Sequence, residues 1–90
     1  LIENVYRLQI INKDARAHRY RIQARGIEGL RVETAAREIS AAALQTIDVP
    51  VSLLADPVAL KGRSLAVTFT VQSVDDPRIR DDVSTKFFNR

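Results

Sequence analysis

Arg63-Ser-Leu-Ala-Val-Thr-Phe-Thr-Val-Gln-Ser73 alternates apolar and polar residues along most of its length. Leu65, Val67, Phe69 and Val71 fall on one face, and Ser64, Ala66, Thr68, Thr70 and Gln72 on the other. A period of two in β-branched and aromatic residues predicts a strand with one buried face. Such a face needs a second layer to cover it, so the stretch predicts an all-β domain of packed sheets.

The same period recurs outward from it. Asn4 to Ile11 predicts a strand with Tyr6, Leu8 and Ile10 on one face and Val5, Arg7, Gln9 and Ile11 on the other. Asn12 to Ala17 is turn chemistry, because Asn12 and Asp14 tolerate left-handed backbone and bond their own main chain. It joins a second strand, His18 to Arg25, by a hairpin or a loose β-arch. Tyr20, Ile22 and Ala24 point inward there, and Arg19, Arg21, Gln23 and Arg25 outward. Gly26 and Gly29 break the pattern, and Leu30 to Val32 predicts a short strand. Thr34 to Ala43 reads as a short strand or loop around Glu38-Ile39-Ser40.

Leu44 to Leu53 predicts a longer strand, in which Pro50 demands an edge or a bulge because it has no N–H. Asp56 before Pro57 caps one helical turn that Gly62 would end. Asp75 to Asp82 reads as a charged loop, and Val83 to Phe88 as the closing strand. Roughly six or seven short strands at this spacing predict a two-sheet antiparallel β-sandwich, whose strand order the spacing does not give.

Ninety residues make a single domain, 1–90, near the lower limit for an unaided core. The chain has no cysteine and no methionine, hence no disulfide, no thiolate nucleophile and no soft sulfur ligand. A net charge of +3, from 14 Lys and Arg against 11 Asp and Glu, is far from a nucleic-acid footprint. No run is long and apolar enough for a membrane span. The chain opens on Leu1, which reads as a piece of a longer protein.

Candidate chemistry is sparse. His18 is the single histidine, and its ordinary reading is a surface residue at a strand edge, since one imidazole makes no metal site. No serine sits in a Gly-x-Ser-x-Gly turn, and nothing in the spacing supports a catalytic triad, so no catalytic, cofactor-binding or metal-ligating residue is expected. Asp75, Asp76, Asp81 and Asp82 gather carboxylates for a hard cation such as calcium, but without the spacing of a calcium loop. Arg78 and Arg80 would neutralise them.

Arg7, Arg19, Arg21 and Arg25 would crowd one surface if the first two strands paired. They form a candidate interaction patch for an acidic partner protein or an anionic membrane surface. Glu28, Glu33, Glu38 or Asp48 would otherwise balance them internally. Tyr6 and Tyr20 fall on the inner face, so no stacking platform for nucleic acid is expected.

Ile2-Glu-Asn-Val-Tyr-Arg-Leu-Gln-Ile-Ile-Asn12, Tyr20-Arg-Ile-Gln-Ala, the Gly26 to Leu30 turn and Val49-Pro-Val resemble one known module. It is the C-terminal immunoglobulin-like domain of the cytochrome c oxidase accessory proteins, the CcoG/FixG family. The resemblance implies an immunoglobulin-like sandwich of about seven strands. It further implies a parent anchored in the bacterial inner membrane, with ferredoxin-type iron–sulfur clusters in the rest of that parent. The parent would serve cbb3-type cytochrome c oxidase assembly, with copper-reducing activity proposed for it. This part would follow the last membrane span, on the periplasmic face. Its partner would be a protein of oxidase assembly or the parent's own membrane domain. None of the family's cluster-binding cysteines carries over, so the resemblance implies a non-catalytic structural or interaction module. Direct copper handling is the alternative.

Overall fold

The computed structural model describes residues 1–89. Seven strands lie among them: β1 (Ile2–Ile11), β2 (His18–Arg25), β3 (Arg31–Glu33), β4 (Ile39–Ala41), β5 (Thr46–Ala55), β6 (Ser64–Ser73) and β7 (Arg80–Phe88). They form a three-stranded antiparallel sheet, β1-β5-β3, and a four-stranded one, β4-β2-β6-β7. The two-sheet sandwich is therefore the one the alternation predicts. No helix among the described residues is long and apolar enough to cross a membrane.

β6 sits in the middle of the wider sheet because both its edges find partners: β2 pairs along Tyr20–Arg25 and β7 along Arg80–Phe88. Its inner face carries Val67 and Phe69, both essentially without solvent contact, packed against Val51 and Leu53 of the opposing sheet's layer and Phe87 of β7. Tyr6 of β1 meets Phe69 edge-to-face with ring centroids 5.1 Å apart, tying the first sheet to the second. Thr70 lies on the outer face, yet it is 5% exposed. Arg25 and Asp82 cover it, with Arg25 Nη1 donating to Thr70 Oγ1 (3.0 Å) and that hydroxyl donating to Asp82 (2.8 Å).

Local chemistry fixes the joints. Gly26 has φ +125° where the chain leaves β2, and a Cβ there would stand 2.5 Å from the Ala66 carbonyl oxygen. Only glycine fits so close to a neighbouring backbone. Pro50 pairs with Arg7 of β1, while β3 reaches only Ser52 to Leu54, so β5 is an edge at Pro50 as its missing N–H requires. Asp56 caps the single 3₁₀ turn Pro57–Ala59 by accepting the Val58 N–H, and the cap at its far end is Leu60, two residues before Gly62.

One alternative is decided in favour of the arch, and one expectation changes. β1 and β2 belong to different sheets, so Asn12 to Ala17 is an arch between layers and not a hairpin. The charged stretch after β6 is also shorter than its composition suggests, because Arg80, Asp81 and Asp82 already pair with β6. Thr70, Arg25 and Arg80 bond or neutralise Asp82, so its charge does not keep the chain out of the ladder.

At one end, side chains of β1 stitch the two sheets together along their shared flank. The Asn4 amide donates to the Phe88 carbonyl (3.0 Å) and accepts the Phe88 N–H (2.9 Å), and Tyr6 donates its hydroxyl proton to Lys86 (2.8 Å). Asn4 thereby does for β7 what a neighbouring strand would do.

Replacing Phe69 with Ala should cost about 3–5 kcal/mol, because it empties a fully enclosed position of the core. Thr68→Ala, which loses one exposed hydroxyl contact to Ser84, should stay within about 0.5 kcal/mol. Urea denaturation followed by circular dichroism measures both, and equal stabilities would refute the assigned inner face.

Candidate functional site

The chemistry-bearing residues gather at the end of the sandwich away from the Asn4 stitch. Asn12 continues the inward parity of β1 and is 1% exposed. Its carbonyl accepts the Asp14 N–H (3.1 Å), while its amide donates to Arg16 (2.9 Å), Ala41 (3.3 Å) and Ala42 (2.9 Å). One side chain thus folds the arch and ties it to the end of β4. Leu44, held at φ +60°, sends its N–H to the Asp14 carbonyl (3.1 Å) and closes the loop over the arch.

His18 opens β2 and is buried at 2% exposure, so the expectation of a surface histidine is wrong. Its Nε2 lies 2.7 Å from Asp14 Oδ2, and its Nδ1 lies 2.9 Å from the hydroxyl of Ser73, the last residue of β6. Asp14, His18 and Ser73 are therefore connected as acid, imidazole and hydroxyl, an arrangement that sequence spacing gave no reason to expect. Connectivity alone does not make it a nucleophile. Ser73 is 1% exposed, and its Oγ already accepts the Asp76 N–H (3.0 Å). With His18 Nδ1 on its other side, no approach for a substrate carbonyl remains. What the arrangement does is join the arch, β2, β6 and the 73–79 turn. The bond to His18 also holds the Asp14 carboxyl below its ordinary range.

Of the four arginines expected on one patch, three share it. Arg19, Arg21 and Arg25 alternate on the outer face of β2, whereas Arg7 projects from β1 in the other sheet. All three on β2 have carboxylate partners. Arg19 meets Asp75 (2.9 Å) and Glu38 (3.5 Å), Arg21 meets Glu38 (3.1 Å), and Arg25 meets Asp82 (3.6 Å). Glu38 is among the balancing acids the sequence suggested; Asp75 and Asp82 were not.

Asp75, Asp76 and Asp82 point at arginines and not at a common centre. Asp75 accepts both the Arg19 guanidinium and the Arg19 N–H (2.8 Å), which brings its carboxyl down to about 2. Asp76 faces Arg78 through two bonds (3.0 and 3.1 Å), and its carboxyl is lowered by them. Asp82 is lowered first by the Thr70 hydroxyl and then by Arg80 and Arg25. No group of three or more His, Asp or Glu among the described residues is placed to hold a metal ion.

All 90 residues match the family model described as "IG-like fold at C-terminal of FixG, putative oxidoreductase". The chain belongs to the FixG C-terminal domain family. Among solved structures, that of a FixG-related protein from Vibrio parahaemolyticus superposes with a TM-score of 0.88 at 22% identity, covering 99% of this chain and 80% of that one. At that identity the likeness bears on the fold. No curated protein matches the chain.

Within this FixG-type domain, the buried histidine was open to inference. His18 has the same parity as Tyr20 and Ile22, so the period that turns those residues inward turns it inward too. The partner Ser73 has the parity of Phe69 and Val71. Only the tertiary pairing of β2 with β6, which sets Tyr20 beside Ser73, brings them together.

His18→Ala should destabilise the domain by about 2–4 kcal/mol, since it removes a buried ring and two hydrogen bonds at once. Asp14→Asn, at a half-exposed position, should cost clearly less. Thermal unfolding distinguishes them, and an unchanged His18→Ala midpoint would refute the bracing role.

Acid sensitivity follows from the carboxylates. Asp14, Asp75, Asp76 and Asp82 are all held below their ordinary 3.8, so the folded state binds fewer protons than the unfolded one as pH falls. Their stabilisation is present above about pH 4 and is lost progressively as pH falls toward 2. The midpoint temperature should drop across that window, and Asp75→Asn should flatten its lower part. An identical acid profile for that variant would count against the Arg19 pairing.

Proposed function

We propose that this chain is a non-catalytic docking and bracing module of a membrane-bound iron–sulfur accessory protein. On this reading the parent acts in cbb3-type cytochrome c oxidase assembly, and the module stands on the periplasmic face of the inner membrane. The observation that carries the non-catalytic part is the closure of the Asp14–His18–Ser73 cluster. Its hydroxyl and both ring nitrogens are spent inside the fold. The match to the C-terminal domain of FixG over the whole chain supports the place in the parent.

The iron–sulfur clusters of such a parent do not fit here. Their iron is held by cysteine thiolates, and this sequence has none. The clusters therefore belong to the rest of the parent, and no redox step runs through this domain. Copper, as cargo, would need soft thiolate or thioether ligands in its reduced state. The sequence offers neither, and His18 has no ring nitrogen left.

Two measurements test the reading. Deleting this domain from the parent should leave the iron–sulfur electron paramagnetic resonance signals in place while abolishing assembled oxidase, read by haem staining of membranes. Loss of the cluster signals would mean that the domain supports the redox centre itself. Titrating the tag-free domain with Cu(I) against a chelator of known affinity should show no stoichiometric uptake. Uptake that survives His18→Ala would favour direct copper handling.

A further inference from the structure

The two sheets differ in width. The β1-β5-β3 layer is one strand narrower than the layer it covers, and both long outer strands, β1 and β7, lie on the same flank. Asn4 and Tyr6 close that flank at the Phe88 end. Toward the other end it opens into a groove of about 520 Å³ between Arg7–Ile11 of β1 and Arg80–Val83 of β7.

Val83 on the inner face of β7 and Ile79 just before that strand show what is missing. Val83 pairs with the fully buried Phe69 and shares its face, yet it is 44% exposed, and Ile79 is 37% exposed. A residue with inward parity and that much solvent contact lies beneath an absent layer. The backbone of β1 along this stretch bonds β5 on one side and no strand on the other. An added strand on that free edge would both complete the β1 ladder and cover Val83.

We infer that the groove is a strand-addition site. It receives an extended segment of a partner protein whose inward residues are aliphatic and whose outward residues are acidic. This rests on the docking reading above and deepens it. The aliphatic face follows from Val71, Ile79 and Val83 lining the floor. The acidic face follows from charge: among the described residues, Arg7, Lys13 and Arg80 (the last already paired with Asp82) line the groove against one acid, Asp81. Among the described residues, neither Arg7 nor Lys13 has an ion-pair partner, whereas every outward arginine of β2 has one. A second copy of this chain, meeting edge to edge, would place these cations against their own equivalents, so charge disfavours self-pairing.

The probe is an alternating valine–glutamate octapeptide, with a valine–lysine octapeptide as its control. Amide hydrogen exchange of the ¹⁵N-labelled full chain should show protection of Arg7 to Ile11 with the acidic peptide and not with the basic one. Arg7→Glu combined with Lys13→Glu, both at exposed positions, should weaken the acidic peptide by about ten-fold or more. Val83→Asp should do the same by a separate route.

No new protection at about 1 mM peptide would overturn the proposal. So would protection confined to the Arg19–Arg25 face. Concentration-dependent protection of the same β1 amides without peptide would assign the edge to a second copy and overturn the assigned occupant. If the parent carrying Arg7→Glu and Lys13→Glu still assembles oxidase while the domain deletion does not, docking stands and strand addition fails.

Discussion

Asn12, His18 and Ser73 place a carboxamide, an imidazole and a hydroxyl at the edge of a small apolar core, each at 2% exposure or less. Burying such groups unpaired costs several kcal/mol, comparable to the whole stability of a domain this size. The fold tolerates them because no buried side-chain nitrogen or oxygen among the described residues lacks a hydrogen-bond partner. That completeness is also restrictive. A network in which each atom is used specifies one arrangement of the arch, the β4–β5 loop and the 73–79 turn. The three loops at this end are held by side chains where the sheets themselves cannot reach.

Much of the architecture was legible because a half-buried strand writes its own period into the sequence. The faces of β1, β2, β5 and β6 follow from alternation alone, and Pro50 announces an edge through a missing donor. What alternation cannot give is which strands are neighbours. Arg7 and the β2 arginines look like one patch only if β1 pairs with β2, and the arch sends them to different sheets. The start of β7 was hidden for a different reason. Arg80, Asp81 and Asp82 have loop composition, and only their opposite charges and the Thr70 hydroxyl make a strand of them.

His18 shows the two kinds of signal in conflict. Frequency favours an exposed polar residue, while parity favours burial, and parity was the better guide because it reports on this strand and not on histidines in general. Ser73 was harder. It is the last residue of a ten-residue strand, where a small polar side chain commonly faces solvent, and its burial depends on the turn that folds Asp76 back onto it. Asn4 belongs to the same class. Its inward parity was visible, but its service as a surrogate strand partner for Phe88 required the second sheet to be in place.

Charge is distributed over the two flanks in opposite ways, and this bears on how the domain meets anything else. On the outer face of β2, each arginine already has a carboxylate, so a partner docking there must exchange one exposed ion pair for another. Such exchanges yield little, since exposed pairs contribute about 0–1 kcal/mol to begin with. On the β1 flank, Arg7 and Lys13 have no such partner, and they border apolar side chains that already lack cover. There an acidic strand would gain ladder hydrogen bonds, apolar burial and uncompensated cations together, without breaking anything the fold has made. The flank whose cations stand unpaired is thus the one with more to offer a partner, because availability of charge, and not its number, sets the gain.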